Sequence, residues 1–171
     1  MSLTLDSLNA LDPDAFTAAV GQVFEHSDWI ARETWPRRPF RDLSHLHAEL
    51  CQTLRDASHE RQRALIQAHP DLAGRLAQQR KLTTESTREQ ASAGLDQLSE
   101  PELARFQELN DAYRARFGFP FIICARLTAK DAIVTAMQAR LKNTAETEFQ
   151  TALQEIEKIA HLRLNDLLDR S

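Results

Sequence analysis

The chain has 171 residues, 42% hydrophobic and 27% charged, a globular balance that excludes disorder, and its four glycines are too few for a turn-rich sandwich or barrel. A chain of this length buries roughly 70% of its unfolded surface, so one ordinary core suffices and a single domain over residues 1–171 is expected. The formal charge of -4, from 21 basic and 25 acidic residues, supplies no basic face for nucleic acid. Arginine outnumbers lysine 17 to 4, which fits either carboxylate recognition by planar guanidinium groups or codon bias. Cys51 and Cys124 stand far apart and outside any CxxC pattern, which fits a reducing cytoplasm. Met1 to Ala10 lacks a basic start with an apolar run, no stretch approaches the ~20 apolar residues of a membrane span, and Leu168-Asp169-Arg170-Ser171 is not a peroxisomal address.

In chain order, Asp12-Pro13 is an N-cap with proline at the first helical position, and Phe16, Ala19, Val20 and Phe24 follow at helical spacing. His26-Ser27-Asp28 caps a short second helix, and Pro36 and Pro39 turn Thr34 to Arg41 into a loop. Leu43, Leu46, Leu50 and Leu54 mark an amphipathic helix from about Asp42. Another runs from the cap candidate Ser58 and stops near His69, because Pro70 disfavours helix in the residue before it. Ser86-x-x-Glu89 and Ser99-x-x-Glu102 both have capping-box spacing. The second opens the clearest helix, with Leu103, Phe106, Leu109, Tyr113 and Phe117 in one stripe and Gly118 at the cap. Phe119 to Cys124 is an apolar run of ambiguous type. Helices resume over about Ala129 to Leu141 and Ala145 to Asp169, so the pattern predicts an all-α, single-domain bundle of about eight helices.

Three short segments are over-specified for a plain bundle. His69-Pro70-Asp71-Leu72 puts an imidazole at a helix end, where it suits proton transfer or simply a favourable cation at the dipole's negative pole. His-Pro-Asp is also the loop signature of the co-chaperone J-domain, which is shorter and carries a basic helix that Arg61 to Ala68 matches poorly. Ser86 to Gln90 reads as a capping box, or as a helix start whose N–H donors receive carboxylate or carbonyl oxygens. Phe117 to Arg126 reads as a buried connection, or as irregular backbone presenting N–H and C=O groups to a flat polar ligand. The six histidines include no H-E-x-x-H, and His45-x-His47 points its rings to different faces, so no metal site is expected. No G-x-S-x-G elbow indicates a serine hydrolase.

Together with Phe106-Gln-Glu-Leu-Asn110-Asp-Ala-Tyr113, Arg140-Leu-Lys-Asn143 and Ile159-Ala-His-Leu-Arg163-Leu164, these segments resemble the 2-oxo-4-hydroxy-4-carboxy-5-ureidoimidazoline (OHCU) decarboxylase family. The resemblance runs in order from about Leu8 to Leu168, and Phe-Gly-Phe-Pro-Phe-Ile is its most specific part. It implies an all-helical fold, a homodimer, no cofactor, and decarboxylation of a small ureidoimidazoline to (S)-allantoin in urate breakdown. By the same resemblance His69 matches the catalytic histidine and Glu89 the glutamate that orients it. Pro70, Ser86, Thr87, Arg88, Glu89, Gln90, Phe121, Ile122, Ile123, Cys124 and Ala125 match the substrate-contacting segments, with Gln90 suited to the ureido or ring amide groups. Arg163 matches an arginine for anionic substrate oxygens, with Arg140 and Arg126 as alternatives. A non-catalytic ligand-binding or regulatory domain on the same fold is the competing reading.

Overall fold

Side-chain caps decide where most of the helices begin. The computed structural model describes residues 3–74, 77 and 79–169; Met1, Ser2, Arg170 and Ser171, which were read above for targeting signals, lie outside them. Among the described residues all regular structure is helical: α1 Leu5–Ala10, α2 Pro13–Val20, α3 Trp29–Thr34, α4 Leu43–Asp56, α5 His59–Ala68, α6 Thr84–Ser92, α7 Glu100–Phe117, α8 Lys130–Arg140 and α9 Ala145–Asp169, with three single 3-10 turns. The all-α expectation holds. Asp12 caps α2 through the Ala15 amide at 2.8 Å, and Asp42 caps α4 through His45 at 2.7 Å. Ser99 and Glu102 form the reciprocal capping box of α7, whose other end is Gly118 at a left-handed φ of 76°. Two details differ. Helix α1, capped by Thr4 and Ser7, escapes a periodicity search because it is six residues long and buries only Leu8. Helix α3 forms without a side-chain cap from Asp28.

The chain divides into two compact units, one of residues up to Ala68 plus those from Glu157 on, the other His69–Ile156. In the first, the loop broken by Pro36 and Pro39 is closed by side chains. The Asn9 amide accepts from the Phe40 N–H at 2.8 Å and donates to its carbonyl at 2.9 Å, while the Trp35 indole donates to the Leu11 carbonyl at 2.9 Å. Phe16 stacks on Phe40 below this loop. His47 sits edge-on to His161 and bonds the Glu157 carbonyl at 2.8 Å. Burial, reinforced by the His161 charge, holds its imidazole below the usual histidine range. Beside it, burial first and then the Glu157 carboxylate push the Cys51 thiol up to about 12.

The second unit is organised by an aromatic cluster and one buried carboxylate. Tyr113 lies 4.6 Å from Phe117, 6.0 Å from Phe119 and 5.3 Å from Phe121, centroid to centroid. Its hydroxyl donates to Glu148, which is fully inaccessible. The same carboxylate accepts from Arg140 Nε at 2.8 Å and from Asn143 Nδ2 at 2.9 Å. Burial, followed by the bond to Glu148, drives the Tyr113 phenol far above its usual range, so it stays a neutral donor.

Two expectations follow. Glu148→Leu leaves the Arg140 guanidinium buried without its counter-charge and should cost about 3–5 kcal/mol in urea denaturation. His47 binds a proton less readily folded than unfolded, so its contribution to stability is present above the ordinary histidine range and is lost as pH falls through it. His47→Gln should therefore flatten the fall in melting temperature between about pH 7.5 and pH 5.

Candidate active site

Helix α6 starts three residues before the expected position. Its N-cap is Thr83, whose hydroxyl accepts from the Ser86 amide at 3.2 Å, so Ser86 is the third helical residue and Glu89 lies in the second turn. The capping-box reading of Ser86 and Glu89 is therefore wrong, and the first-turn N–H donors are those of Thr84, Glu85 and Ser86, the last of them bonded to Thr83. Helical spacing then sorts the segment by face. Ser86, Glu89 and Gln90 are buried together, whereas Thr87 and Arg88 are exposed. A carboxylate in the middle of a helix and 9% exposed has no capping explanation.

His69, itself 7% exposed, follows the last residue of α5, where Pro70 ends the helix. The chain then turns through Asp71, Leu72 and Ala73, the last at φ 51°. This turn docks on α6. Gln90 Oε1 accepts from the Ala73 amide at 2.9 Å and Gln90 Nε2 donates to the Asp71 carbonyl at 3.4 Å. The Gln90 side-chain amide, expected on the substrate's ureido or ring amide groups, is thus engaged by the turn that carries His69. From α7, Asn110 Nδ2 donates to the Leu72 carbonyl at 2.9 Å, and Arg114 pairs with the Asp71 carboxylate at 2.9 Å.

The ambiguous run after Gly118 is neither helix nor strand. From Phe119 to Ala125 it is buried irregular backbone ending in a 3-10 turn, Ala125–Leu127, which packs against α6. Its side chains serve the core, since Phe121 lies between Tyr113 and the Arg140 guanidinium, which sits 4.2 Å from its ring centroid. Arg140 also donates to the Ile122 carbonyl at 2.8 Å and to Glu148 at 2.8 Å. Arg126 is exposed. Burial, followed by the Glu155 carboxylate and, more weakly, Glu89, pushes the Cys124 thiol up, so it is neutral at pH 7 and no nucleophile. The segment bearing Cys124 thus lies within electrostatic reach of Glu89. In the other unit, Arg163 is 6% exposed and donates to Glu25 Oε2 at 2.9 Å and to the Gln22 carbonyl at 3.3 Å.

The sequence model of one protein family, described as OHCU decarboxylase, matches residues 9–165. The chain belongs to the OHCU decarboxylase family. It is 44% identical over 165 residues to the 2-oxo-4-hydroxy-4-carboxy-5-ureidoimidazoline decarboxylase of Halalkalicoccus jeotgali, covering 96% of this chain and 92% of that protein. To the decarboxylase of the same name from Mus musculus it is 41% identical over 161 residues, 94% of this chain and 90% of the other. Among solved structures, that of an (S)-allantoin synthase superposes with a TM-score of 0.76 at 29% identity, over 98% of this chain and 55% of that one. An OHCU decarboxylase crystallised in the presence of (S)-allantoin shares the fold, with a TM-score of 0.70 at 22% identity over 91% of this chain and 98% of the other.

For this member of the OHCU decarboxylase family, sequence reasoning missed Glu25, Glu148 and Glu155, three buried carboxylates. A signal was available for two of them. Glu148 and Glu155 interrupt the apolar stripe Phe149, Ala152, Leu153 and Ile156 of α9, where an exposed glutamate has no place. Glu25 lies next to an irregular turn and carries no such pattern.

The Arg163–Glu25 pair generates an expectation of its own, because both side chains are at most 5% exposed. Glu25→Leu should cost about 3–5 kcal/mol, and adding Arg163→Met should recover most of that loss, since the cost is the buried unpaired charge and not the lost attraction. Chemical denaturation of the two variants measures it.

Proposed function

We propose that the protein decarboxylates 2-oxo-4-hydroxy-4-carboxy-5-ureidoimidazoline to (S)-allantoin, a step of urate degradation, with His69 as general acid/base and Glu89 orienting it. The observation that carries this reading is the buried, non-capping Glu89 on a helix whose next residue, Gln90, bonds the turn that begins at His69. A carboxylate is buried at a cost unless something needs it there. Family membership supports the reaction, and the motif match supports the roles.

The substrate supplies its own electron sink. As the bond to the carboxylate breaks, CO2 leaves and the electron pair moves between the hydroxyl-bearing carbon and its neighbour, displacing the C=N pair onto the ring nitrogen, which takes a proton. A proton then reaches the ureido-bearing carbon from one face, and the hydroxyl loses its own to become the carbonyl. No cofactor is needed for that electron flow. What the protein must supply is placement: the carboxylate out of the ring plane, the hydroxyl on a hydrogen-bonding group, and the proton on one face. His69 moves the protons in this reading. Pro70, the buried face of the Ser86 to Gln90 turn and the backbone of Phe121 to Ala125 shape the pocket in this reading.

The family match from residue 9 to residue 165 includes residues of both compact units and supports reading residues 1–171 as one domain. The same reading takes the protein as a cytoplasmic homodimer. No described helix is long and apolar enough to cross a membrane.

Purified protein given freshly generated urate-oxidation product should yield one enantiomer of allantoin, followed by optical activity. His69→Asn should slow it by the order of 10² to 10⁴. Glu89→Gln should abolish most activity while melting within a few degrees of the parent. Racemic product formed only at the spontaneous rate would overturn the function, and unchanged kinetics in folded His69→Asn would overturn the assignment of the histidine.

A further inference from the structure

The turn that carries His69 is held from outside itself. Between Pro70 and Gly74 the chain has left α5, and its own backbone supplies one bond, from the Gly74 amide to the Asp71 carbonyl at 3.3 Å. Ala73 sits at φ 51°, a left-handed conformation costing a non-glycine residue roughly 1–2 kcal/mol. Gly74 closes the turn so tightly that a Cβ there would stand 2.6 Å from that of Asp71. Such a turn keeps one shape only if its surroundings over-determine it. Two buried side-chain amides do so. Gln90 takes the Ala73 amide at 2.9 Å and reaches the Asp71 carbonyl at 3.4 Å, and Asn110 donates to the Leu72 carbonyl at 2.9 Å.

Three features point beyond generic packing. Gln90 adjoins Glu89, so one helical turn carries the carboxylate and grips the backbone four residues after the histidine. Asn110 is 4% exposed, yet its Oδ1 is buried without a hydrogen-bond partner among the described residues, a cost to stability that an apolar side chain would avoid. The third contact is of a different kind: Arg114 and Asp71 form an ion pair with side chains 44% and 25% exposed, the sort that contributes little.

Building on the assignment of His69 above, we propose that Gln90 and Asn110 are positioning residues that clamp the Asp71 to Ala73 backbone and so set the place of His69 against the Glu89 helix, the Arg114 pair being dispensable. Gln90 works on the enzyme's own backbone. The two amides stand in for the backbone partners that a continuing helix would have given.

The test uses Asn110→Asp and Gln90→Met, near-isosteric changes that remove the donor to Leu72 and the acceptor for Ala73, with Arg114→Gln as comparison. Both clamp variants should lose kcat on the order of 10- to 100-fold with KM nearly unchanged, the signature of a proton-transfer group displaced by about an ångström. Arg114→Gln should stay within about twofold of the parent. Each clamp change placed on His69→Asn should lower the residual rate no further, because it acts through that imidazole. Independently of catalysis, the Ala73 amide should exchange with deuterium much faster in Gln90→Met than in the parent. Folded clamp variants with parental kcat would overturn the proposal, as would a raised KM with intact kcat, clamp losses that add fully to the loss from His69→Asn, or unchanged Ala73 exchange. If His69→Asn itself retains parental activity, the function of His69 fails, and the exchange measurement still decides whether the clamp exists. Should Asn110→Asp not fold, Gln90→Met carries both the kinetic and the exchange readouts; should Gln90→Met not fold, Asn110→Asp carries the kinetic ones, and parental kcat there overturns the proposal.

Discussion

A helical protein that buries non-helical backbone must find hydrogen-bond partners for peptide groups that its helices cannot serve. Two segments here impose that constraint, the turn after His69 and the run from Phe119 to Ala125, and the second unit is arranged around meeting it. Gln90 and Asn110 bond the first, from α6 and α7. Arg140, from α8, bonds the Ile122 carbonyl of the second, and Thr128 bonds the Cys124 carbonyl at 3.0 Å. Each irregular stretch is therefore tied to the helices by side chains.

The buried charges follow from the same constraint. Arg140 can serve Ile122 only if its charge is matched, and Glu148 matches it while also taking the Tyr113 hydroxyl and the Asn143 amide. Arg163 and Glu25 repeat the arrangement in the other unit. Such pairs add little net stability, because desolvation offsets most of their attraction, yet losing one member is severe. Their contribution is geometric. They hold guanidinium groups and backbone carbonyls in one arrangement, while the apolar side chains of α4, α7 and α9 supply the driving force for folding.

The proposed chemistry asks for little else. A substrate that delocalises the electrons left by departing CO2 does not require a cofactor's electron sink, and Cys124, held neutral by burial and nearby carboxylates, is no hidden nucleophile. Catalysis then rests on where one imidazole stands and on which face of the intermediate it reaches. A histidine placed just past a proline-terminated helix, on a turn gripped by the helix that carries the buried Glu89, meets that demand with few parts.

Much of this was legible in the chain. Asp12-Pro13, Asp42, Ser99-x-x-Glu102, Gly118 and Pro70 mark helix boundaries through bonds or clashes between residues at most four apart, and such local terms survive in any tertiary setting. The same reasoning failed at Ser86-x-x-Glu89, which has the spacing of Ser99-x-x-Glu102. Thr83 lies three residues upstream and captures the cap, and burial turns Ser86 and Glu89 into an interior face. Nor could spacing settle Phe119 to Cys124, whose apolar side chains suit a strand, a helix or a buried coil until Tyr113 and Arg140 stand beside them. Arg163 shows the limit most plainly. Its position at the edge of an apolar stripe predicts a buried charge in need of an anion, and there the chain's own pattern stops, because the carboxylate that answers it, Glu25, lies 138 residues away and only the folded backbone brings the two together.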